Sequence, residues 1–447
     1  MNRNGSPKVS VITLGCSKNL VDSEVLLGQL ASGGLHLVQD VEGADIAVIN
    51  TCGFIEAAKQ ESIDAILEAV RRKNEGKLKK VVVMGCLSER YAKELADEIP
   101  DVDGYFGSHH LEEILSELGV DYRRELVGER LLSTPSHFAY MKVSEGCDHP
   151  CSFCAIPLMR GAHRTRPLEE VVREARVLAG KGVKELILIG QDTTSYGIDL
   201  HAERGLDSLL RELSAVNGIE WIRLMYAYPA KFPREILDVF RESPKLCRYL
   251  DLPLQHASAN VLKSMRRGMT PRATKELLSS IKSAIPDVAL RTSLIVGYPT
   301  ETEEDFEELC EFVREMKFHR LGVFTYSREE GTAAYSLGDP IPNEVKEERR
   351  DRIMQIQQEI SEERNQLLIG SDVTVLIDRQ DAEFAVGRTQ WDAPEIDQEV
   401  YVRSASRLAV GNFYHVKIVD ATEYDLHAEA TGRGSTRDKG KGESPWV

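Results

Sequence analysis

From Val9 to about Leu368 the chain alternates short apolar runs with longer amphipathic stretches, and this alternation leaves it the fewest folds. Runs of strand length at 8–14, 45–50 and 81–84 are each followed by a helix-like segment. Val21, Val25, Leu26 and Leu30 share one face of the first such segment, and another runs from Glu56 to about Arg72. A strand that rejoins its sheet through a helix lies parallel to its predecessor. The first ~130 residues are therefore predicted to be α/β, a doubly wound parallel sheet.

The alternation resumes with strand-like runs at 138–143, 185–190, 220–227, 249–254, 288–296 and 320–326. Helical patterns lie at 168–180, 206–215, 233–242, 258–266, 272–284 and 302–317, and a long charged helix is predicted over 344–368. This succession predicts a partial (β/α)6 barrel, with its chemistry on the loops after the strands. Beyond it the pattern changes to short alternating runs at 372–378, 383–388, 398–403, 413–419 and 424–430, which predict a small all-β barrel. The expected domains are 1–134, 135–369 and 370–432, with a Gly-rich polar tail over 433–447 expected to be disordered.

Eight cysteines then carry the functional argument. No apolar run approaches the ~20 residues that cross a bilayer, and the first residues lack a secretory pattern, so a cytoplasmic protein without membrane contact is expected. Thiols stay reduced in that compartment, and clustered cysteines there bind metal or do redox work. Cys16, Cys52 and Cys86 each follow the carboxyl end of a predicted strand, the edge at which parallel sheets gather ligands. They read either as three buried structural thiols or as one shared site, and their common topological place favours the shared site. Cys147, Cys151 and Cys154 form a CxxxCxxC triplet directly after the first strand of the second sheet. Soft thiolates suit an iron–sulfur cluster or zinc. Three of them hold three corners of a 4Fe–4S cube and leave its fourth iron open. Zinc wants four closed ligands, and His149 supplies a fourth only through awkward loop geometry.

The triplet, with Phe153 before its last cysteine, resembles that of the radical S-adenosylmethionine (SAM) superfamily. Ile189-Gly190-Gln191-Asp192 after the second strand is similar to that superfamily's segment for the methionine amino group. Leu294-Ile295-Val296-Gly297-Tyr298-Pro299 after the fifth resembles its adenine-lining segment, and Leu252-Pro253-Leu254-Gln255-His256 follows the fourth. The resemblance implies SAM contacts from Phe153, Gly190, Gln191, Asp192, Gln255, Ile295 and Gly297. Gln255 and His256 read equally as residues whose hydrogen bonds hold their loop.

From Val9 to about Glu429 the chain is similar to the methylthiotransferase family. The resemblance implies an N-terminal domain holding one 4Fe–4S cluster on Cys16 (LGCSKN), Cys52 (NTCGF) and Cys86 (MGCLSER). It implies a radical SAM domain holding a second on Cys147, Cys151 and Cys154, and a C-terminal TRAM domain. The second cluster would cleave SAM with an electron from a reductant that the sequence does not name, and the first would deliver sulfur to the substrate carbon. No protein general acid or base is assigned. Cys247 and Cys310 match nothing in the pattern, and Cys310 reads as a core residue.

The family divides between tRNA adenosine and an aspartate of small-subunit ribosomal protein S-twelve. The chain has 56 Lys+Arg against 72 Asp+Glu, a formal net charge of −16. Residues 371–430 hold twelve acidic against five basic residues. An RNA-gripping domain needs a basic face, whereas an acidic one suits a basic protein. Gly387-Arg388-Thr389, Asp392-Ala393-Pro394-Glu395-Ile396-Asp397, Met159-Arg160-Gly161 and Leu254-Gln255-His256-Ala257-Ser258 resemble motifs of the ribosomal-protein branch. The expectation is a methylthiotransferase acting on the β-carbon of that aspartate, with tRNA less favoured. A non-catalytic iron–sulfur protein that docks on the ribosome or senses iron or oxygen is the reading of another class. The acidic stretch 392–397 reads either as a solvated loop between strands or as a substrate contact.

Overall fold

The computed structural model describes residues 6–434 apart from 124, 125 and 127. The N-terminal part contains β1 (Lys8–Thr13), α1 (Ser17–Ser32), β2 (His36–Leu37), β3 (Ile46–Thr51), α2 (Glu56–Asn74), β4 (Lys80–Gly85), α3 (Cys86–Glu98), β5 (Gly104–Tyr105) and α4 (Leu111–Glu117). Its five strands are all parallel, in the order β2-β1-β3-β4-β5. This is a doubly wound order that reverses beside β1. The central strands β3 and β4 are buried on both faces, which is why they read as continuous apolar runs. The two-residue edge strands β2 and β5 carry no such run.

The central part contains β6 (Phe138–Lys142), β7 (Ser144–Glu145), α5 (Ile156–Arg160), β8 (Arg164–Thr165), α6 (Leu168–Gly180), β9 (Glu185–Ile189), α7 (Ile198–His201) and α8 (Leu206–Ser214). It continues with β10 (Trp221–Leu224), α9 (Ile236–Glu242), β11 (Leu246–Asp251), α10 (Ala259–Ser264), α11 (Pro271–Ala284), β12 (Ala289–Val296), α12 (Glu303–Met316), β13 (Arg320–Thr325) and α13 (Asn343–Leu367). Strands β6, β9, β10, β11, β12 and β13 form one open parallel sheet in chain order, with β6 and β13 as its edges.

Alternate residues of each strand serve two different cores. Ala139, Met141, Leu186, Leu188, Ile222 and Leu224 face the outer layer of helices, where Cys310 is also buried. Phe138, Tyr140, Ile187, Trp221 and Tyr249 face inward, with Cys247. The inward residues share their core with the C-terminal barrel and with Val21 of α1. That barrel is closed by β14 (Asp372–Gln380), β15 (Ala385–Arg388), β16 (Val400–Arg403), β17 (Phe413–Ala421) and β18 (Leu426–Arg433). Strand β18 runs through Arg433, inside the stretch expected to be a disordered tail, and residues from 435 onward lie outside the described residues.

The stretch 392–397 is not the solvated loop that one sequence reading allowed. Asp392 is fully buried and accepts from Arg320 Nε at 2.9 Å and from Thr389 Oγ1 at 2.6 Å. Asp397 accepts from Tyr249 Oη at 2.7 Å and lies 3.6 Å from Arg291. Trp391 donates its indole N–H to Asp287 O at 2.9 Å. This acidic loop is inserted into the inner face of the central sheet, and only Glu395 and Ile396 are exposed. Three of the twelve acidic residues of the C-terminal domain, Asp378, Asp392 and Asp397, thus face internal arginines. Asp378 pairs with Arg388, and Arg388 also meets Glu185 of β9 at 2.6 Å.

Candidate functional site

Strands β1, β3 and β4 are sheet neighbours and run parallel, so their carboxyl ends share one edge. Cys16 caps α1 there, Cys52 follows β3, and Cys86 opens α3. Two glycines permit this convergence. Gly15 has φ +89°, and a Cβ on it would fall 2.7 Å from Cys52 Cβ. Gly85 has φ +106°, and a Cβ on it would fall 2.5 Å from Thr51 O. Side chains the sequence reading passed over tie the three ends together. Asn19 donates to Leu14 O at 2.8 Å and to Thr51 O at 3.0 Å, while Asn50 donates to Asn19 O at 2.8 Å. Ser62 Oγ bonds both the N–H and the carbonyl of Cys52. Asn19 and Asn50 had no signal in the sequence beyond lying beside a cysteine, and Ser62, ten residues from Cys52, had none.

Cys52 and Cys86 are buried and Cys16 is exposed. Burial pushes the Cys86 thiol up to about 12 and the Cys52 thiol above its usual range; nearby Cys16 adds to both, and the Arg160 cation opposes it.

The second trio lies at the carboxyl edge of the central sheet, after β7. Cys147 N–H donates to Gly161 O at 3.1 Å and Cys154 N–H to Cys151 O at 3.2 Å. Between them Ser152 Oγ donates to Ser264 O at 2.7 Å. Burial raises Cys147 to about 11 and Cys154 to about 12, and each thiol feels Cys151. Phe153 and Ile295 pack into one apolar group with Met265, Tyr298 and Tyr326, which puts these two expected SAM-contacting residues together.

The other expected contacts occupy the same edge. Gly190 lies against Ser144 Oγ. Gln191 donates Nε2 to Glu145 Oε1 at 2.5 Å, while its own Oε1 is buried without a protein partner. Gln255 adopts φ +77°, and its carbonyl accepts from Ile295 N at 2.7 Å. Gly297 donates its N–H to Glu301, which also faces the buried His256 at 3.4 Å.

Asp192 is engaged on both oxygens: Oδ1 accepts from Thr194 N and Oγ1, and Oδ2 from Ser195 Oγ and His149 Nε2. Burial opposes its ionisation, yet the bonds from His149, Ser195 and Thr194 hold its carboxyl down at about 2. His149 also stacks on Tyr228 at 3.6 Å between ring centroids. Among the described residues, no three or more His, Cys, Asp or Glu side chains converge on a single metal ion. The corners of a cubane stand farther apart than the ligands of one ion.

The two domains meet beside Cys86, which packs against Ala155 and Met159. Arg160, at the end of α5, donates Nε to Cys86 Sγ at 3.2 Å. Lys18, two residues past Cys16, sits 2.9 Å over the ring of Tyr226 in the loop after β10. Arg90 of α3 donates to Gly53 O and to Glu329, each at 2.9 Å.

An open parallel sheet with a CxxxCxxC loop at its carboxyl edge, set between a doubly wound domain and a small barrel, defines a three-part radical SAM protein. Residues 141–313 match the Radical SAM superfamily, residues 8–107 the "Uncharacterized protein family UPF0004", and residues 369–431 the TRAM domain. The cobalamin-containing radical SAM methyltransferase TsrM of Kitasatospora setae superposes with a TM-score of 0.54 at 16% identity, over 74% of this chain and 77% of its own. That likeness is one of fold.

Nearer relatives define the particular family. The ribosomal protein uS12 methylthiotransferase RimO of Christiangramia forsetii is 53% identical over 97% of this chain and 96% of its own. That of Chloroherpeton thalassium is 55% identical over 94% and 97%. The chain belongs to the RimO family of ribosomal protein uS12 methylthiotransferases.

Proposed function

We propose that this protein is a radical SAM methylthiotransferase that adds a methylthio group to the β-carbon of an aspartate in ribosomal protein uS12. The observation that carries the proposal is the placing of two thiol trios, each at the carboxyl edge of a parallel sheet, with Cys86 of one packed against Ala155 and Met159, which follow Cys154 of the other. Each trio offers three soft donors, as a 4Fe–4S cube with one open iron requires. Cys147, Cys151 and Cys154 would hold one cluster, and Cys16, Cys52 and Cys86 the other.

With both clusters and SAM bound, the cofactors supply reductive SAM cleavage and sulfur transfer. The protein binds, orients and excludes water. Gln191 Oε1, buried and without a protein partner, is an acceptor for the methionine ammonium. Phe153 and Ile295 offer an apolar wall for the adenosine moiety. Gln255 and Gly297 fix the backbone of the two loops beside that wall. Asp192 acts from behind the site by locking His149 and the turn at 193–195. The reading places the protein in the cytoplasm with a low-potential one-electron donor. No helix among the described residues is long and apolar enough to cross a membrane.

Anaerobically reconstituted protein should carry about eight iron and eight sulfide per chain. Incubated with SAM and reductant, it should release 5′-deoxyadenosine and modify uS12 and not tRNA. Methylthio-adenosine in tRNA with unmodified uS12 would overturn the substrate, and absence of 5′-deoxyadenosine would overturn the reaction. Cys151→Ala should abolish SAM cleavage and leave the N-terminal cluster in place. Cys52→Ala should spare cleavage and stop methylthiolation.

A further inference from the structure

Arg160 belongs by chain position to the loop that carries the second trio, yet its side chain leaves that domain. It is 1% exposed. Nε donates to Cys86 Sγ at 3.2 Å, one terminal nitrogen donates to Asp22 at 2.7 Å and to Glu145 at 3.3 Å, and the other donates to Asn19 Oδ1. Lys142 Nζ bridges Asp22 and Glu145 at 2.5 Å each. Two cations and two carboxylates balance in this cluster, and the guanidinium presents its Nε–H directly to Cys86 Sγ. The fixed fork of a guanidinium addresses the sulfur, the amide and the carboxylates together, which a lysine ammonium does not. The second trio is built alike: Arg267, 5% exposed, donates to Cys151 Sγ at 3.2 Å and lies over the Tyr228 ring at 4.4 Å.

Reduction adds one negative charge to an iron–sulfur cluster. A hydrogen bond to a ligating sulfur stabilises the reduced form more than the oxidised and raises the potential. We propose that Arg160 is a positioning residue that sets the reduction potential of the cluster held by Cys16, Cys52 and Cys86. It thereby makes that potential depend on how the central domain seats against the N-terminal one. The proposal rests on the two-cluster reading above. It adds that the N-terminal site is completed by a residue from the element that follows the other trio, so the two sites are tuned together.

The test is a reductive titration followed by electron paramagnetic resonance on the reconstituted full-length chain. Cys147→Ala, Cys151→Ala and Cys154→Ala are combined so that only the N-terminal cluster reports. Into this background go Arg160→Met, which removes the donor and keeps much of the bulk, and Arg160→Lys, which keeps the charge without the fork. Arg160→Met should lower the midpoint by at least about 59 mV, a tenfold change in the one-electron equilibrium. Arg160→Lys should lower it by less. An iron-loaded variant of either kind that titrates at the parent potential would falsify the proposal, and Arg160→Lys decides alone if the methionine variant does not load. A parent chain that holds no iron at the N-terminal trio sinks the cluster assignment itself. That result appears before any arginine variant is compared, so the two failures are distinguishable.

Discussion

Single residues decide whether the N-terminal strand ends can meet. Gly85 turns the chain from β4 into α3 at a φ that side chains rarely adopt, with Thr51 O in the space a Cβ would fill. Gly85→Ala should cost at least about 1–3 kcal/mol from the backbone alone. It should also displace Cys86, so the expected result is a lower thermal midpoint together with loss of about half the bound iron. Retention of full iron would show that Cys86 tolerates the shift. The same scale explains a limit of sequence reading. The cysteines were legible because thiols in a strand-end pattern are rare. Asn19, Asn50 and Ser62, which tie together the strand ends that carry the cysteines, are common residues whose role exists only once three strand ends are adjacent.

At the scale of elements, the β/α alternation predicted the central strands and helices to within a few residues at most ends. It failed at β2 and β5, whose two residues give no period to detect. Packing between elements also creates titration behaviour that no local pattern announces. His319 is buried where β12, β13 and α13 meet, with Leu290 N donating to its Nδ1 at 3.2 Å and Arg364 3.0 Å from its Nε2. Burial and the cations Arg364, Arg320 and Lys282 hold its proton affinity well below the ordinary histidine value. The unfolded chain therefore takes up this proton first, near pH 6.5, and the folded chain does not follow. This contribution to stability is present above that pH and is lost as pH falls, by up to about 1.4 kcal/mol per pH unit. The thermal midpoint should drop between pH 7 and pH 5.5, and His319→Gln should lose less over the same interval. Equal losses in the two proteins would show that other groups carry the acid sensitivity.

Across the whole molecule, the C-terminal barrel is fastened into the inner face of the central sheet and shares its core. The fastening is ionic at its centre, where Asp392 is fully buried and Arg320 is largely covered. Removing one partner strands the other without water, at a cost of about 3–5 kcal/mol, whereas replacing both with apolar side chains is far milder. Asp392→Leu should lower the thermal midpoint markedly, and the double variant with Arg320→Met should recover most of the loss. If the double variant is as unstable as the single, the pair is not the unit that holds the domains. This arrangement also alters the charge argument for the substrate. The excess of acidic residues in the C-terminal domain does fall in a family that acts on a ribosomal protein. Yet Asp378, Asp392 and Asp397 are turned toward internal arginines and do not form a face for a basic partner.

The three-part architecture and the family were legible in the chain alone, as was the cysteine pattern proposed to hold two clusters. Hydrophobic period and ligand spacing are local quantities that survive without coordinates. Only the tertiary structure decided which charged groups face inward, that the 392–397 loop is a plug, and that Arg160 crosses between domains to reach Cys86. The physical reason is that a charge has no preferred partner along the chain. Its partner is fixed by which surfaces are buried together, and burial between distant segments is settled only when the whole chain has packed.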